Sequence, residues 1–142
     1  MEDASKICFS GSAYISSGTS IRVESGAQVK IGNEVYINSN CYLRAESDVT
    51  IGDECILGWN VTINTTDGHY IYTEGEQHPQ NGTIVIGNHC WIGNTVSIAK
   101  GVSLASGCVC AQYSLVNKSF PKNSLIGGIP AKLIKEKISW NK

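Results

Sequence analysis

Three histidines, His69, His78 and His89, are the side chains of this 142-residue chain suited to carrying a proton near neutral pH. Two of them share one polar, glycine-containing stretch, Thr66–Thr83, which reads TDGHYIYTEGEQHPQNGT. Asp67 lies two residues before His69, where it either orients the imidazole or caps the turn. His78 sits in Gln77-His78-Pro79, and His89 follows Asn88 at a corner that reads as displayed on the surface. Three histidines are also the ligand number of a zinc enzyme. Their separations of nine and eleven residues, however, supply no ligand pair with four intervening residues.

The stretch that carries His69 interrupts a repeat. From Ile86 an aliphatic or small apolar residue recurs every sixth position: Ile86, Ile92, Ile98, Leu104, Cys110, Val116. An earlier register runs Ile31, Ile37, Leu43, steps eight to Ile51, and continues through Leu57 and Ile63; the same eight-residue step joins Val23 to Ile31. Four residues after each comes a second apolar or small residue: Val35, Cys41, Ser47, Cys55, Val61, Asp67, Cys90, Val96, Val102, Cys108, Ser114 and Phe120. A period of six fits neither a helix nor a meander. It predicts short flat strands separated by tight turns, three to a triangular coil of about 18 residues, with coils stacked about 4.8 Å apart. Gly or Ala after the aliphatic residue suits a crowded corner. Between Ala13 and Pro121 the spacing predicts five to six coils, with a two-residue bulge at one corner for each eight-residue step. Between Ile63 and Ile86, 23 residues stand where six are due, so Thr66–Thr83 is expected to leave the coil as a loop.

Composition agrees with this architecture. Aromatic residues make up only 8%, Gly is abundant at 15, and the net charge is −1, so nothing points to nucleic acid or to a strongly charged partner. No apolar run approaches a membrane span. Met1–Phe9 lacks the charged-then-apolar pattern of a signal segment, which leads to an expected cytoplasmic location. Of the six cysteines, Cys41, Cys55, Cys90 and Cys108 fall on the second apolar set and Cys110 on the first. They are expected to be free, mostly buried space-fillers in a reducing compartment. The expected organisation is an all-β domain at 1–121 with inserted loop 66–83, followed by a C-terminal cap at 122–142. In that cap Pro130 is placed as the first residue of a short helix through Lys132–Trp140.

The repeat, Asp67-Gly68-His69, the run Ile86-Gly87-Asn88-His89-Cys90-Trp91-Ile92-Gly93 and the tail Gly128-Ile129-Pro130-Ala131-Lys132 together resemble the left-handed β-helix acyltransferases of the hexapeptide-repeat family. The nearest resemblance is to the galactoside, maltose and nodulation-type acetyltransferases and to surface-polysaccharide O-acetyltransferases. It covers roughly residues 20–138. It implies a left-handed parallel β-helix, a homotrimer, acetyl-coenzyme A as acyl donor in the groove between subunits, and the loop histidine as general base. No metal is required for such a reaction. The acceptor hydroxyl loses its proton to a histidine as its oxygen attacks the thioester, a donor such as a backbone N–H steadies the oxyanion, and no covalent enzyme intermediate is needed.

Carried onto this sequence, the resemblance makes His69 the base and places Asn38 near the acetyl group, where a turn-forming role is the alternative. Trp91 either lines the site beside a neighbouring subunit's histidine or packs the trimer interface. Coenzyme A contacts fall near Asn94, Gln112, Asn117 and Lys118, with phosphate pairing at Lys132 and Lys135, which otherwise read as solubilising charges. Arg44 and Glu46, on the coil of Asn38 but one corner further on, either contact the acceptor or pair with each other. Asp67 is a further acceptor-side candidate. Tyr70 and Tyr72 stack on a sugar ring or pack the loop. Only about a dozen residues precede the repeat, where the sugar acetyltransferases carry a helical segment, so the expected acceptor is a longer glycan or a nucleotide-sugar. Two other readings remain open: a zinc enzyme resembling the γ-class carbonic anhydrases, and a non-catalytic β-helix module.

Overall fold

The computed structural model describes residues 4–142; residues 1–3 of the expected 1–121 domain lie outside it. The first coil is built from β1 (Lys6–Phe9), β2 (Ala13–Ile15) and β3 (Ser20–Val23), and the second from β4 (Gln28–Ile31), β5 (Val35–Ile37) and β6 (Tyr42–Ala45). The third coil contains β7 (Val49–Ile51), β8 (Ile56–Leu57) and β9 (Thr62–Asn64). A hairpin of β10 (Tyr72–Thr73) and β11 (Glu76–Gln77) then projects from the third-to-fourth coil junction. The fourth coil is β12 (Ile84–Ile86), β13 (Trp91–Ile92) and β14 (Ser97–Ile98); the fifth is β15 (Ser103–Leu104), β16 (Val109–Cys110) and β17 (Leu115–Val116). A sixth turn begins with β18 (Leu125–Gly128), against which β19 (Ala131–Lys135) folds back.

The strands stack in three parallel faces. The first face is β1-β4-β7-β12-β15, the second is β2-β5-β8-β13-β16-β18 with β19 antiparallel at its edge, and the third is β3-β6-β9-β14-β17. Residues six apart in the sequence therefore occupy successive faces, and the aliphatic set fills the prism. Ile31, Ile51, Ile86 and Leu104 line up inside the first face; Ile37, Leu57, Ile92, Cys110 and Ile126 inside the second; Leu43, Ile63, Ile98 and Val116 inside the third, all buried. Each such aliphatic side chain contributes about 1.5–3 kcal/mol by leaving water. The second apolar set is buried as well, except for half-buried Ser47 and exposed Asp67. At the corner from third to first face only the step from Leu43 to Ile51 joins in-register interior positions; Val23 pairs with Ala45, and the register partner of Leu43 in the first coil is Ile21, ten residues before Ile31. There β3 and β6 run to four residues before the chain turns.

Corners are held by side chains that stand in for backbone acceptors. At the corner from first to second face, Asn33 Oδ1 accepts from Ser12 N–H, Asp53 Oδ1 from Asn33 N–H, and Asn88 Oδ1 from Asp53 N–H, at 2.8–2.9 Å. These short polar residues mimic a turn acceptor from one coil to the next.

All six cysteines are free; Cys8 is exposed and the other five are buried. The tail corrects one expectation. Among the described residues there is no helix, and Ala131–Lys135 is a strand. The stacked second face ends at β18 with unpaired backbone groups, and β19 satisfies them, a tertiary demand that outweighs the local amphipathic pattern. Pro130 lies in the turn between the two strands, entered through Gly128 at φ 109°, and Gly127 leaves room for Ile134 to cross it.

Candidate active site

A groove of about 480 Å³ opens on the second face and its corner with the third. Its floor is the outward ladder Ile56, Trp91, Val109, Leu125, one residue per coil in register. Its rim is the row of corner residues Asn38, Gly58, Asn94 and Gln112 from four successive coils. Four residues proposed from sequence, Asn38, Trp91, Asn94 and Gln112, therefore line one cavity although they span much of the chain.

Their polar atoms are partly committed. Asn38 Nδ2 donates to the Leu57 carbonyl at 2.8 Å, which fixes its amide and leaves Oδ1 as an acceptor. Asn94 Oδ1 accepts the Trp59 N–H at 3.0 Å, which leaves Nδ2 as a donor. The rim thus offers one acceptor and one donor in fixed orientation. Gly58 is required there, because a Cβ at this position falls 2.9 Å from the Asn94 backbone nitrogen and closer still to its side-chain oxygen. Trp91 is nearly half exposed, as its place at the start of β13 on an outward face predicts.

His69 stands on a different edge. The loop leaves after β9, at the corner from third to first face, and returns into β12. Its neck is closed by the Thr66–Asn81 bridge, Asp67 N–H to Gln80 O at 2.9 Å and Gly82 N–H to Thr65 O at 2.9 Å. His69 is exposed. His78 is engaged within the hairpin, its Nε2 lying 2.6 Å from Thr73 Oγ1. Asp67 does not orient the imidazole: it pairs with Lys100 at 3.4 Å, and the turn is capped by Thr66 Oγ1, which accepts the Gly68 N–H. Tyr70 and Tyr72 are both exposed.

The same edge carries Arg44 and Glu46, whose side chains meet at 3.7 Å. They belong to a larger cluster, since Glu24 pairs with Arg22 and lies 3.7 Å from Arg44. The Glu46 N–H donates to Thr65 Oγ1 at the root of the loop. Asn117 and Lys118, at the end of β17, also fall on this edge, with Lys118 Nζ 5.5 Å from the Phe120 ring. Lys132 and Lys135 are exposed on β19, opposite Gly127 and Leu125 at the far end of the groove. In one chain, then, the groove lies along one edge of the prism and the loop histidine along another.

Sequence reasoning missed two partners. Lys100 gave no signal beyond a charge at a corner. His89 is not simply displayed: it is half-buried beneath Trp140, a residue 51 positions away with no periodic relation to it. Among the described residues no three His, Cys, Asp or Glu side chains converge as metal ligands, and no helix is long and apolar enough to cross a membrane.

No protein-family model matches the chain. Galactoside O-acetyltransferase of Escherichia coli (strain K12) is 36% identical over 115 residues, covering 78% of this chain and 55% of that protein. The crystal structure of the polySia specific acetyltransferase NeuO superposes with a TM-score of 0.81 at 30% identity, over 97% of this chain and 64% of that one. A galactoside acetyltransferase in complex with coenzyme A superposes with a TM-score of 0.71 at 29% identity, over 92% and 64%. The stacked three-sided coils are those of a left-handed parallel β-helix. The chain belongs to the hexapeptide-repeat acetyltransferase family. It spans about half the length of the curated relatives it matches.

Proposed function

We propose that this protein transfers an acetyl group from acetyl-coenzyme A to a hydroxyl of a carbohydrate acceptor, with His69 as general base, in sites shared between copies of a homotrimer. The observation that carries this reading is the division of the candidate residues between two edges. The groove of Asn38, Trp91, Asn94 and Gln112 is lined by no imidazole or carboxylate, and the loop that holds His69 departs from a different edge, beside a smaller cleft lined by Thr66, Asp67, Ser97 and Lys100. A closed ring of identical copies brings the loop edge of one prism against the groove edge of the next.

In that arrangement the extended pantetheine arm follows the rim from Leu125 towards Asn38, and the thioester lies beside Trp91. His69 takes the acceptor hydroxyl proton as the oxygen attacks the thioester carbon. The tetrahedral intermediate then collapses, the C–S bond breaks, and the imidazolium returns its proton to the leaving thiolate. Lys132 and Lys135 attract the phosphates as point charges without bidentate geometry. Asn117 and Lys118 approach the donor from the loop edge of the neighbouring copy. Tyr70 offers an exposed ring to a sugar, while Arg44 and Glu46, held by Glu24 and Thr65, shape the acceptor side. The relatives named for galactoside and polySia act on carbohydrates, which supports a carbohydrate acceptor; a glycan or nucleotide-sugar is our assignment. Five buried free thiols suit a reducing compartment, and we place the reaction in the cytoplasm.

The test is acetyl-coenzyme A turnover against a panel of glycans and nucleotide-sugars, with His69→Ala measured beside the unmodified protein. Loss of about 100-fold or more in kcat is expected for removal of a general base. Full activity in His69→Ala would overturn the mechanism.

A further inference from the structure

Trp140 is fixed on His89 by three separate contacts. The rings stack face to face with centroids 3.9 Å apart and an interplanar angle of 8°. His89 Nε2 lies 2.8 Å from the Trp140 carbonyl oxygen, and Trp140 Nε1–H donates to the His89 carbonyl at 2.8 Å. A carbonyl only accepts, so in this pair Nε2 carries the proton. The segment that bears Trp140 follows the edge between the first and second faces. The Ile138 N–H donates to Asn123 O at 3.0 Å in the last turn, Trp140 sits at the fourth coil, and Lys142 Nζ is 5.3 Å from the Tyr36 ring in the second. Residues 138–142 therefore strap the coils together along the side of the second face away from the groove rim.

Besides His89, the Trp140 ring meets Trp91. The two indoles lie 5.9 Å apart at 44°, a tilted aromatic pair. Trp91 lines the groove and Trp140 does not. Along the face, Trp91 has Ile56 and Val109 as register neighbours, neither large enough to fix a nearly half-exposed indole. Trp140 is its aromatic neighbour on the side of the corner between the first and second faces.

We propose that Trp140 is a positioning residue of the donor groove: seated on His89, it holds Trp91 in the orientation that forms the groove wall. The role rests on the acetyl-transfer reading, because it takes the groove to be the coenzyme A site. It accounts for an aromatic clamp placed on an outward corner where no packing of the prism interior requires one. Its effect is carried entirely through Trp91, so it is expected in donor affinity and not in the proton transfer at His69.

The experiment compares the unmodified protein with Trp140→Ala and Trp140→Phe, reading steady-state kinetics against acetyl-coenzyme A and direct binding of coenzyme A. Trp140→Ala is expected to raise the donor KM and the coenzyme A Kd by about three- to tenfold, the scale of one aromatic pair, with kcat within about twofold. Trp140→Phe keeps a ring on His89 and is expected to recover most of the affinity. In a Trp59→Phe background both Trp140 variants keep Trp91 as their one indole, and acrylamide quenching of its fluorescence is expected to be greater in Trp140→Ala than in Trp140→Phe. A merely structural strap would lower the melting temperature and leave KM and Kd unchanged, which would overturn the proposal. So would a Trp140→Phe variant as weak as Trp140→Ala. Binding by the unmodified protein separates the two readings. If it fails to bind coenzyme A, the acetyl-transfer reading falls; if it binds and Trp140→Ala binds equally well, only the role given to Trp140 falls.

Discussion

Lys100 Nζ lies 3.4 Å from Asp67 Oδ2, so the root of the loop is tied to the coil that follows it. Both side chains are about one-third exposed, which limits the pair to under about 1 kcal/mol of stability. Its consequence is positional, because His69 is two residues beyond Asp67. Lys100→Ala is expected to leave the melting temperature nearly unchanged, to speed amide exchange across residues 67–82, and to lower kcat/KM by about three- to tenfold through a less well placed base. Unchanged exchange in the loop would show that the ion pair does not anchor it.

The buried thiols predict a specific reactivity and a specific pH dependence. Burial raises the Cys41 and Cys110 thiols. Contact with Cys90, then burial, raises Cys108. For Cys90 a hydrogen bond with Cys108 favours the thiolate, but the thiol contact with Cys55 and burial outweigh it and push the group up to about 12. Cys55 moves the other way, lowered by its hydrogen bond with Cys90. A thiol reagent is expected to titrate one group, exposed Cys8, in the native protein and all six after unfolding. For the raised thiols the sign follows from proton binding. Above about pH 9 the unfolded chain has lost protons that the folded chain keeps, so their contribution to stability is full below that pH and falls as pH rises towards 12. Denaturant midpoints measured from pH 8 to 11 should decline; a flat profile would contradict the burial argument.

Gly58 decides how closely the rim of the groove can stack. An added Cβ meets Asn94 backbone atoms at 2.9 and 3.1 Å and its side-chain oxygen nearer still. Coils in register with their neighbours above and below have little freedom to yield, so Gly58→Ala is expected to cost about 1–3 kcal/mol, read as a lowered denaturant midpoint. It should also weaken coenzyme A binding, since Asn94 is pushed from its hydrogen bond to Trp59. A neutral Gly58→Ala would mean that the corners are looser than the structure has them.

The interior of the prism was readable because one aliphatic position per face repeats at a fixed interval and each instance is buried against the next coil. Ile31, Ile51 and Ile86 illustrate this: although 23 residues rather than six separate Ile63 from Ile86, the chain returns from the loop with Ile86 in register with Ile51. The groove residues Asn38, Trp91, Asn94 and Gln112 were legible through family motifs, and the stacking of corners explains why they converge. The tail was not legible. Lys132–Trp140 has a locally amphipathic pattern, but the unpaired edge of β18 makes Ala131–Lys135 a strand. Contacts such as Trp140 with His89, Lys100 with Asp67 and Arg44 with Glu24 join outward residues of different coils, and the repeat imposes no pattern on outward positions.

The central claim is that the groove of one copy works with the loop of another, and mixing inactive variants tests it most directly. His69→Ala retains an intact groove, and an Asn38→Ala/Trp91→Ala double variant retains an intact loop. Each alone is expected to be inactive in acetyl-coenzyme A turnover. Unfolded together in equal amounts and refolded, they should regain about a quarter of the unmodified activity, because one in four sites in a randomly assembled ring draws its loop and its groove from the undamaged halves. A mixture as inactive as its components, with hybrid assemblies demonstrated by mass, would contradict a site shared between copies.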